Sequence, residues 1–204
     1  MRTTQWFGAL ALALAACAKA GVAQEPKPDS AAQDTTRKSV VPAGLGTLKQ
    51  DEFTLGIRSG ALLVKVTPLN ERVIRLAAPD TYNRLHALAE SRRADAAARV
   101  RTKEPELFLV SFFSYQPDVT FQPEDVQLDY NGKLLRPGAI IPLTASWGKQ
   151  RMGQQETQAA IYVFGDPVDF ELPLIVKYGL DQNADWQRII PKLEVERSKI
   201  RSRQ

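Results

Sequence analysis

One apolar run at residues 107–115 constrains the fold more than any other feature. The run reads LFLVSFFSY and directly follows Pro105 and Glu106, and both of its alternating faces carry large apolar side chains. Leucine, valine and aromatic residues in such a run favour an extended strand. A strand that is apolar on both faces must be covered on both sides. The run therefore predicts a central strand with a second sheet on one face and a helix on the other.

Shorter alternating segments before this run predict further strands. The alternating apolar residues are Phe53, Leu55 and Ile57 before a turn at 59–60, and Leu62, Val64 and Val66 after it. Two alternating segments joined by a two-residue turn are typical of a β-hairpin, which Pro68 should end because proline has no ladder donor. Residues 73–76 predict a short extended segment.

The segment 121–178 completes the predicted set of strands. It contains FQPEDVQLDYNGK, which ends in an Asn-Gly turn, and AIYVFGDPVDFELPLIVKY, in which Pro173 indicates an edge strand or a bulge. This stretch, about a third of the chain, resembles the immunoglobulin-like domains of exported bacterial proteins. The resemblance implies a fold and no chemistry. With six to eight short strands, the sequence predicts a mainly β, antiparallel immunoglobulin-like β-sandwich over 51–180, without paired cysteines.

Two helices are predicted in addition to the strands. The first covers about 80–101, and its apolar stripe consists of Tyr82, Leu85, Ala89, Ala96 and Val100. The second is an amphipathic helix within 181–204, with Trp186, Ile189, Ile190 and Leu193 on one face and Pro191 as a point of kinking or restart. Because exposing Trp186 is unfavourable, this helix should pack on its own domain or, alternatively, on a partner.

The N-terminus predicts export, with two alternative cleavage sites. An apolar segment that follows Arg2 is typical of a signal peptide over 1–16. Leu14-Ala15-Ala16-Cys17 resembles the bacterial lipobox, which implies lipidation of Cys17; the alternative is cleavage after Ala23, which discards the cysteine. Residues 17–50, rich in Ala, Pro, Ser and Gln, predict a disordered tether.

These features give an expected location. The favoured interpretation is a protein held in the cell envelope by the lipid on Cys17 alone, at the outer membrane facing the periplasm; the alternative is a soluble periplasmic or secreted domain. Cys17 is the only cysteine, so the domain contains no disulfide.

Composition and motifs argue against several classes of chemistry. The formal net charge of +4 is mildly basic and is not typical of a nucleic-acid-binding protein. His86 is the only histidine and lies in the predicted helix, so no metal site and no cofactor are expected. No serine lies in a Gly-x-Ser-x-Gly turn, which argues against a serine hydrolase.

Carboxylates leave one enzymatic alternative open. Glu124 and Asp125 are adjacent, and Asp166 and Asp169 form a second pair at a predicted turn. Such pairs perform acid and base chemistry when a cleft holds them together, although they also have ordinary capping roles at turns. A periplasmic hydrolase that uses these loop carboxylates is therefore the alternative function.

The favoured function is binding. The segment 146–155 places Trp147 beside Lys149 and Arg151, a combination enriched at binding hot spots, although Trp147 could instead plug the end of the sandwich. Arg92 and Arg93 belong to a basic helix face that is either solvated or a dock for an anionic partner. The sequence thus predicts a non-enzymatic, envelope-anchored binding or scaffold protein that recognises a protein or an anionic envelope polymer.

Overall fold

The computed structural model describes residues 41–203. The signal peptide at 1–16, the lipidation of Cys17 and most of the predicted tether lie outside the described residues. No helix within 41–203 has the length and apolar character that a bilayer crossing requires.

Eleven β-strands are described. In chain order they are β1 (Leu55–Ser59), β2 (Leu62–Pro68), β3 (Glu106–Ser114), β4 (Val119–Thr120), β5 (Val126–Tyr130), β6 (Lys133–Leu135), β7 (Ala139–Pro142), β8 (Arg151–Met152), β9 (Thr157–Phe164), β10 (Leu174–Tyr178) and β11 (Asp181–Asn183). A five-stranded sheet has the order β1-β2-β3-β9-β7, a four-stranded sheet has the order β11-β10-β5-β6, and β4 pairs with β8. The pairings between these strands are antiparallel, so the mainly β, antiparallel prediction is confirmed.

The hairpin and the central strand are both present. β1 and β2 pair from Leu55 with Val66 to Ser59 with Leu62, so the turn consists of residues 60–61, one position later than predicted. β3 lies in the middle of the larger sheet, between β2 and β9. Its face that carries Phe108, Val110 and Phe112 is buried, whereas Leu109 and Phe113 on the other face are half-buried. The second face is therefore only partly covered.

The two sheets pack face to face around an aromatic core. The Phe112 ring, on the larger sheet, lies 5.5 Å from the Tyr178 ring on the smaller sheet, in an edge-on arrangement. The Tyr162 hydroxyl donates to the carbonyl of Pro123 at 2.8 Å across the same space. Val126, Leu128, Leu174 and Val176 alternate along β5 and β10 and are buried. These contacts are those of a β-sandwich.

Three α-helices accompany the sheets in the described part of the chain: α1 (Glu71–Ile74), α2 (Pro79–Val100) and α3 (Trp186–Arg201). α2 agrees with the predicted helix, and Tyr82, Leu85, Ala89 and Ala96 are its buried stripe. The prediction of an extended segment at 73–76 is wrong, because the Asn70 side chain accepts from the amide of Arg72 and caps a short helix.

The C-terminal helix packs on its own domain, which is the favoured of the two predicted alternatives. α3 continues through Pro191, and it buries Trp186, Ile189, Leu193 and Ile200. The indole N–H of Trp186 donates to the carbonyl of Phe170 at 3.0 Å.

Residues 41–50 also belong to the folded body, so the predicted tether does not extend to residue 50. Val41 and Leu48 are buried, and Leu48 pairs with Ala77 in a parallel bridge. The buried Glu196 of α3 accepts from the amide and the hydroxyl of Thr47, at 2.8 and 2.7 Å. This long-range contact, absent from any local pattern, fixes the segment to the C-terminal helix.

Candidate functional site

A cleft of about 790 Å³ opens at one end of the sandwich. Its walls come from the β2–α1 connection, from α2, from the loop before β3 and from the segment 167–169, and Tyr130 contributes from the smaller sheet. Charged and polar side chains line much of it: Asn70, Glu71, Arg72, Arg93, Lys103, Glu104, Glu106 and Asp169. A concave site with convergent polar groups is the usual form of a ligand site in proteins.

The local sequence explains why the cleft lies at this end. β2 ends at Pro68, and the amide of Leu69 then donates to the carbonyl of Leu107 at 2.8 Å, which holds the departing chain against the start of β3. The chain turns into α1 at Asn70, so Asn70 and Arg72 lie beside Glu106, the first residue of β3. The end of β2 and the beginning of β3 thus form one wall.

Glu106 is a carboxyl group of the cleft that is held by neutral donors. The Asn70 amide nitrogen donates to both of its oxygens, at 3.2 and 3.0 Å, and the backbone N–H of Val168 also donates to it. Burial raises the pKa of Glu106 above its ordinary value, although these hydrogen bonds and the charges of Arg72 and Arg93 act in the opposite direction. Glu106 is therefore protonated more readily than an exposed glutamate.

The cleft also contains three cations, and two of them have no ion-pair partner. Arg93 pairs with Glu90 of its own helix at 2.8 Å. Arg72 and Lys103, in contrast, form no close ion pair with any carboxylate of residues 41–203, although Arg72 lies near enough to Glu106 for its charge to act on the pKa of that carboxyl group. Unpaired cations in a concave site attract anions, because a partly enclosed site strengthens their field relative to bulk water.

Glu71 faces the cleft, but its charge is compensated. Arg75 Nε donates to it at 2.5 Å, and His86 Nδ1 lies 2.6 Å from its other oxygen. Burial alone would raise the pKa of Glu71, but the hydrogen bonds from Arg75 and His86 lower it below its ordinary value. The His86 ring stacks on Tyr82 with centroids 5.2 Å apart, so the only histidine has a structural role in orienting Glu71.

The segment 146–155 differs from the prediction at Trp147. The prediction of Trp147 as a partner-binding residue is corrected, because only 6% of Trp147 is exposed. Its ring packs 5.1 Å from Phe121, 5.7 Å from Phe112 and 6.4 Å from Tyr162. The alternative interpretation, in which Trp147 plugs the end of the sandwich, describes the structure.

The other predicted contact residues occupy different places. Lys149 and Arg151 are exposed near Trp147, and Arg151 pairs with Asp118 at 3.1 Å. Arg93 lines the cleft, whereas Arg92 is half-buried and its Nε has no hydrogen-bond partner within the described residues. The structure therefore brings one of the predicted cations to the cleft, and leaves Lys149 and Arg151 at the opposite end of β3.

The paired carboxylates do not converge as a group at the cleft. Asp169 lines it, but Asp166 is exposed and pairs with Lys133 at 2.8 Å. Glu124 and Asp125 are exposed on the 3₁₀ helix Pro123–Asp125. Sequence reasoning missed Glu106, Glu71 and Arg72, because Glu106 contacts Asn70 across 36 positions, Glu71 contacts His86 across 15, and the cleft that contains Arg72 forms only in the fold.

Two further findings concern ligands and relatives. Within residues 41–203, no three His, Asp or Glu side chains lie close enough together to hold a metal ion. Comparison of the chain with family models, with curated proteins and with solved structures found no match. The functional argument therefore depends on the cleft itself.

Proposed function

We propose that this protein is a binding protein for an anionic polymer of the cell envelope, and that the cleft at the start of β3 holds part of that polymer. The observation that carries the proposal is the pair of cations without ion-pair partners, Arg72 and Lys103, which line the cleft together with Arg93. Binding by such a cleft requires no cofactor.

The surrounding charges support this proposal over a cation site. Of the four carboxylates that line the cleft, Glu71 is compensated by Arg75 and His86, and Glu106 accepts from the Asn70 amide nitrogen. Asp169 accepts from the backbone amide of Glu171 at 3.0 Å, which partly satisfies it. Glu104 is exposed to solvent. Lys103 is likewise exposed, so the half-buried Arg72 is the unpaired cation most in need of a ligand.

Calorimetric titration with tripolyphosphate, a simple polyanion, tests the proposal. The double variant Arg72→Ala/Lys103→Ala should bind at least about ten-fold more weakly than the natural protein, since each lost charged contact is worth about 1 kcal/mol or more. The affinity should also fall with increasing salt, because screening weakens these contacts.

The matched control removes two cations from the other end of β3. Lys149→Ala/Arg151→Ala makes the same change in net charge but should leave the affinity for tripolyphosphate unchanged. If the control variant loses binding and the cleft variant keeps it, the binding site is the segment 146–155 and the cleft proposal is wrong.

The finer description of fold and location is also a proposal. Two packed antiparallel sheets support an immunoglobulin-like sandwich, and an experimental structure compared strand by strand with that fold tests the assignment.

We further propose that the protein is exported and anchored by a lipid on Cys17. Labelled palmitate should be incorporated into the natural protein and not into Cys17→Ser; absence of label in both would leave a soluble exported domain.

A hydrolase is the second candidate, and one specific observation favours it. Burial raises the pKa of Glu106, which is the property of a general acid, and Asp169 lines the same cleft. Incubation with an oligosaccharide, followed by measurement of new reducing ends, tests this candidate. Release that is lost in Glu106→Gln would support hydrolysis, and no release would leave binding as the function.

A further inference from the structure

The cleft contains a feature that a site for simple anions does not need. Glu106 places a carboxyl group among the same cations that attract the ligand, and its negative charge opposes an anion. Asn70 and Val168 supply the donors that hold Glu106, so the group is fixed rather than free to turn away. A held carboxylate in an anion site suggests that the ligand also brings a hydrogen-bond donor.

Glu106 has capacity left for such a donor. Its two oxygens offer about four acceptor directions. The nitrogen of Asn70 is shared between both oxygens, and Val168 supplies one further donor. At least one direction therefore remains for a ligand.

The neighbouring charges decide which donor fits. An ammonium group beside Glu106 would be repelled by Arg72 and Arg93, whose charges already act on this carboxyl group. A neutral hydroxyl avoids this repulsion and can both donate to Glu106 and accept from the cations. Tyr130 adds another partner, because its hydroxyl accepts from the amide of Asp169 at 3.2 Å and keeps its own hydrogen for donation.

Apolar surface in the cleft completes the match to a sugar. Pro167 is exposed beside the polar groups and the half-buried Tyr130 lines the same cleft, whereas Leu69 and Pro105 line it but are largely buried. Sugar rings present apolar C–H surface together with hydroxyls, and sites that mix apolar surface with a few placed polar groups bind such ligands.

From these observations we infer that the ligand is an acidic saccharide, in which Arg72 and Lys103 contact the negative group and Glu106 accepts from a neighbouring hydroxyl. The inference rests on the proposed function, because it names the class of anion that the cleft takes. Glu106 is then the residue that distinguishes a hydroxylated anion from a simple one.

Calorimetry with two probes tests this inference. Trigalacturonate carries carboxylates and hydroxyls, whereas tripolyphosphate carries no sugar hydroxyl. Glu106→Gln should bind tripolyphosphate about three-fold more tightly, because a repelling charge is lost, and trigalacturonate about five-fold more weakly, because a charge-assisted hydrogen bond is lost. Opposite changes for the two probes are the expected result.

Two further variants are the controls for this experiment. Glu104→Gln removes the same charge from the exposed wall and should change both affinities by one common factor. Glu106→Asp keeps the charge but shortens the side chain, so it should weaken trigalacturonate and leave tripolyphosphate within about two-fold. The melting temperature of each variant verifies that it is folded.

The possible outcomes separate this inference from the proposed function. If Glu106→Gln changes the affinities for both probes by the same factor, the saccharide inference is wrong and the anion cleft remains. The same conclusion follows if Glu104→Gln changes the ratio of the two affinities as much as Glu106→Gln does. If the natural protein binds neither probe, the proposed function itself is wrong.

Discussion

The two ends of strand β3 are built in opposite ways. At the C-terminal end of β3, Phe112 contacts Trp147 and Phe121, and these rings close the sandwich with apolar surface. At its beginning, Glu106 faces a cleft whose walls carry Arg72 and Lys103. One strand thus connects a sealed end with an open, charged end.

This difference separates stability from function within one sheet. Rings that contact one another at 4.6–5.7 Å exclude water and contribute dispersion and hydrophobic energy. Cations without partners contribute little to stability and are available for a ligand. Substitutions at the sealed end should therefore change the free energy of unfolding, and substitutions at the open end should change binding.

The largest expected effect is at the sealed end. Trp147→Ala should lower the free energy of unfolding by about 3–5 kcal/mol, because it removes a buried indole and leaves a cavity among three rings. Urea denaturation measures the loss. Trp147→Phe, which keeps a ring in place, should lose less.

Two single substitutions are the references for this measurement. Lys149→Ala, on the 3₁₀ helix Ala145–Lys149 that also contains Trp147, and Arg72→Ala, at the open end, should each change stability by no more than about 0.5–1 kcal/mol. If Arg72→Ala destabilises the protein as much as Trp147→Ala does, the division between a sealed and an open end is wrong.

A smaller effect should appear in the pH dependence of stability, where Glu71 and Glu106 differ in sign. The pKa of Glu71 is lowered on folding, so its contribution is present above its unfolded pKa and is lost as the pH falls through the folded pKa. The pKa of Glu106 is raised, so its contribution is present in acid and is lost as the pH rises through the folded pKa.

Glutamine substitutions test this contrast. Glu71→Gln should be less stable than the natural protein near neutrality, and the difference should shrink near pH 3. Glu106→Gln should be more stable than the natural protein near neutrality, and this difference in stability should also shrink near pH 3. Urea denaturation at both pH values measures the two differences; equal signs near neutrality would contradict the assigned environments.

Local patterns predicted much of the fold. The alternation in residues 55–66, the apolar run at 107–115 and the stripe of α2 each involve neighbouring residues, so the sequence alone was sufficient. The four residues of α1 are too few to show a helical period, and the last two of them, Val73 and Ile74, were predicted as part of an extended segment at 73–76 instead.

The candidate site could not be predicted in the same way. Asn70 and Glu106 are 36 positions apart, and Glu71 and His86 are 15 apart, so their contacts arise only when β2, β3 and α2 come together. Trp147 was ambiguous for the same reason, since its burial depends on Phe112 and Phe121. Arg93 was selected as part of a basic helix, but nothing local indicated that it lines a cleft.

The central claim is that the open end of β3 binds anions and the sealed end does not. Backbone amide shifts, recorded by NMR during titration with tripolyphosphate, test this claim most directly. We predict changes at the amides of residues 69–72, 103–104, 106–107 and 168–169, with residues 145–152 unaffected. Changes confined to 145–152, or no changes at the cleft at saturating ligand, would contradict it.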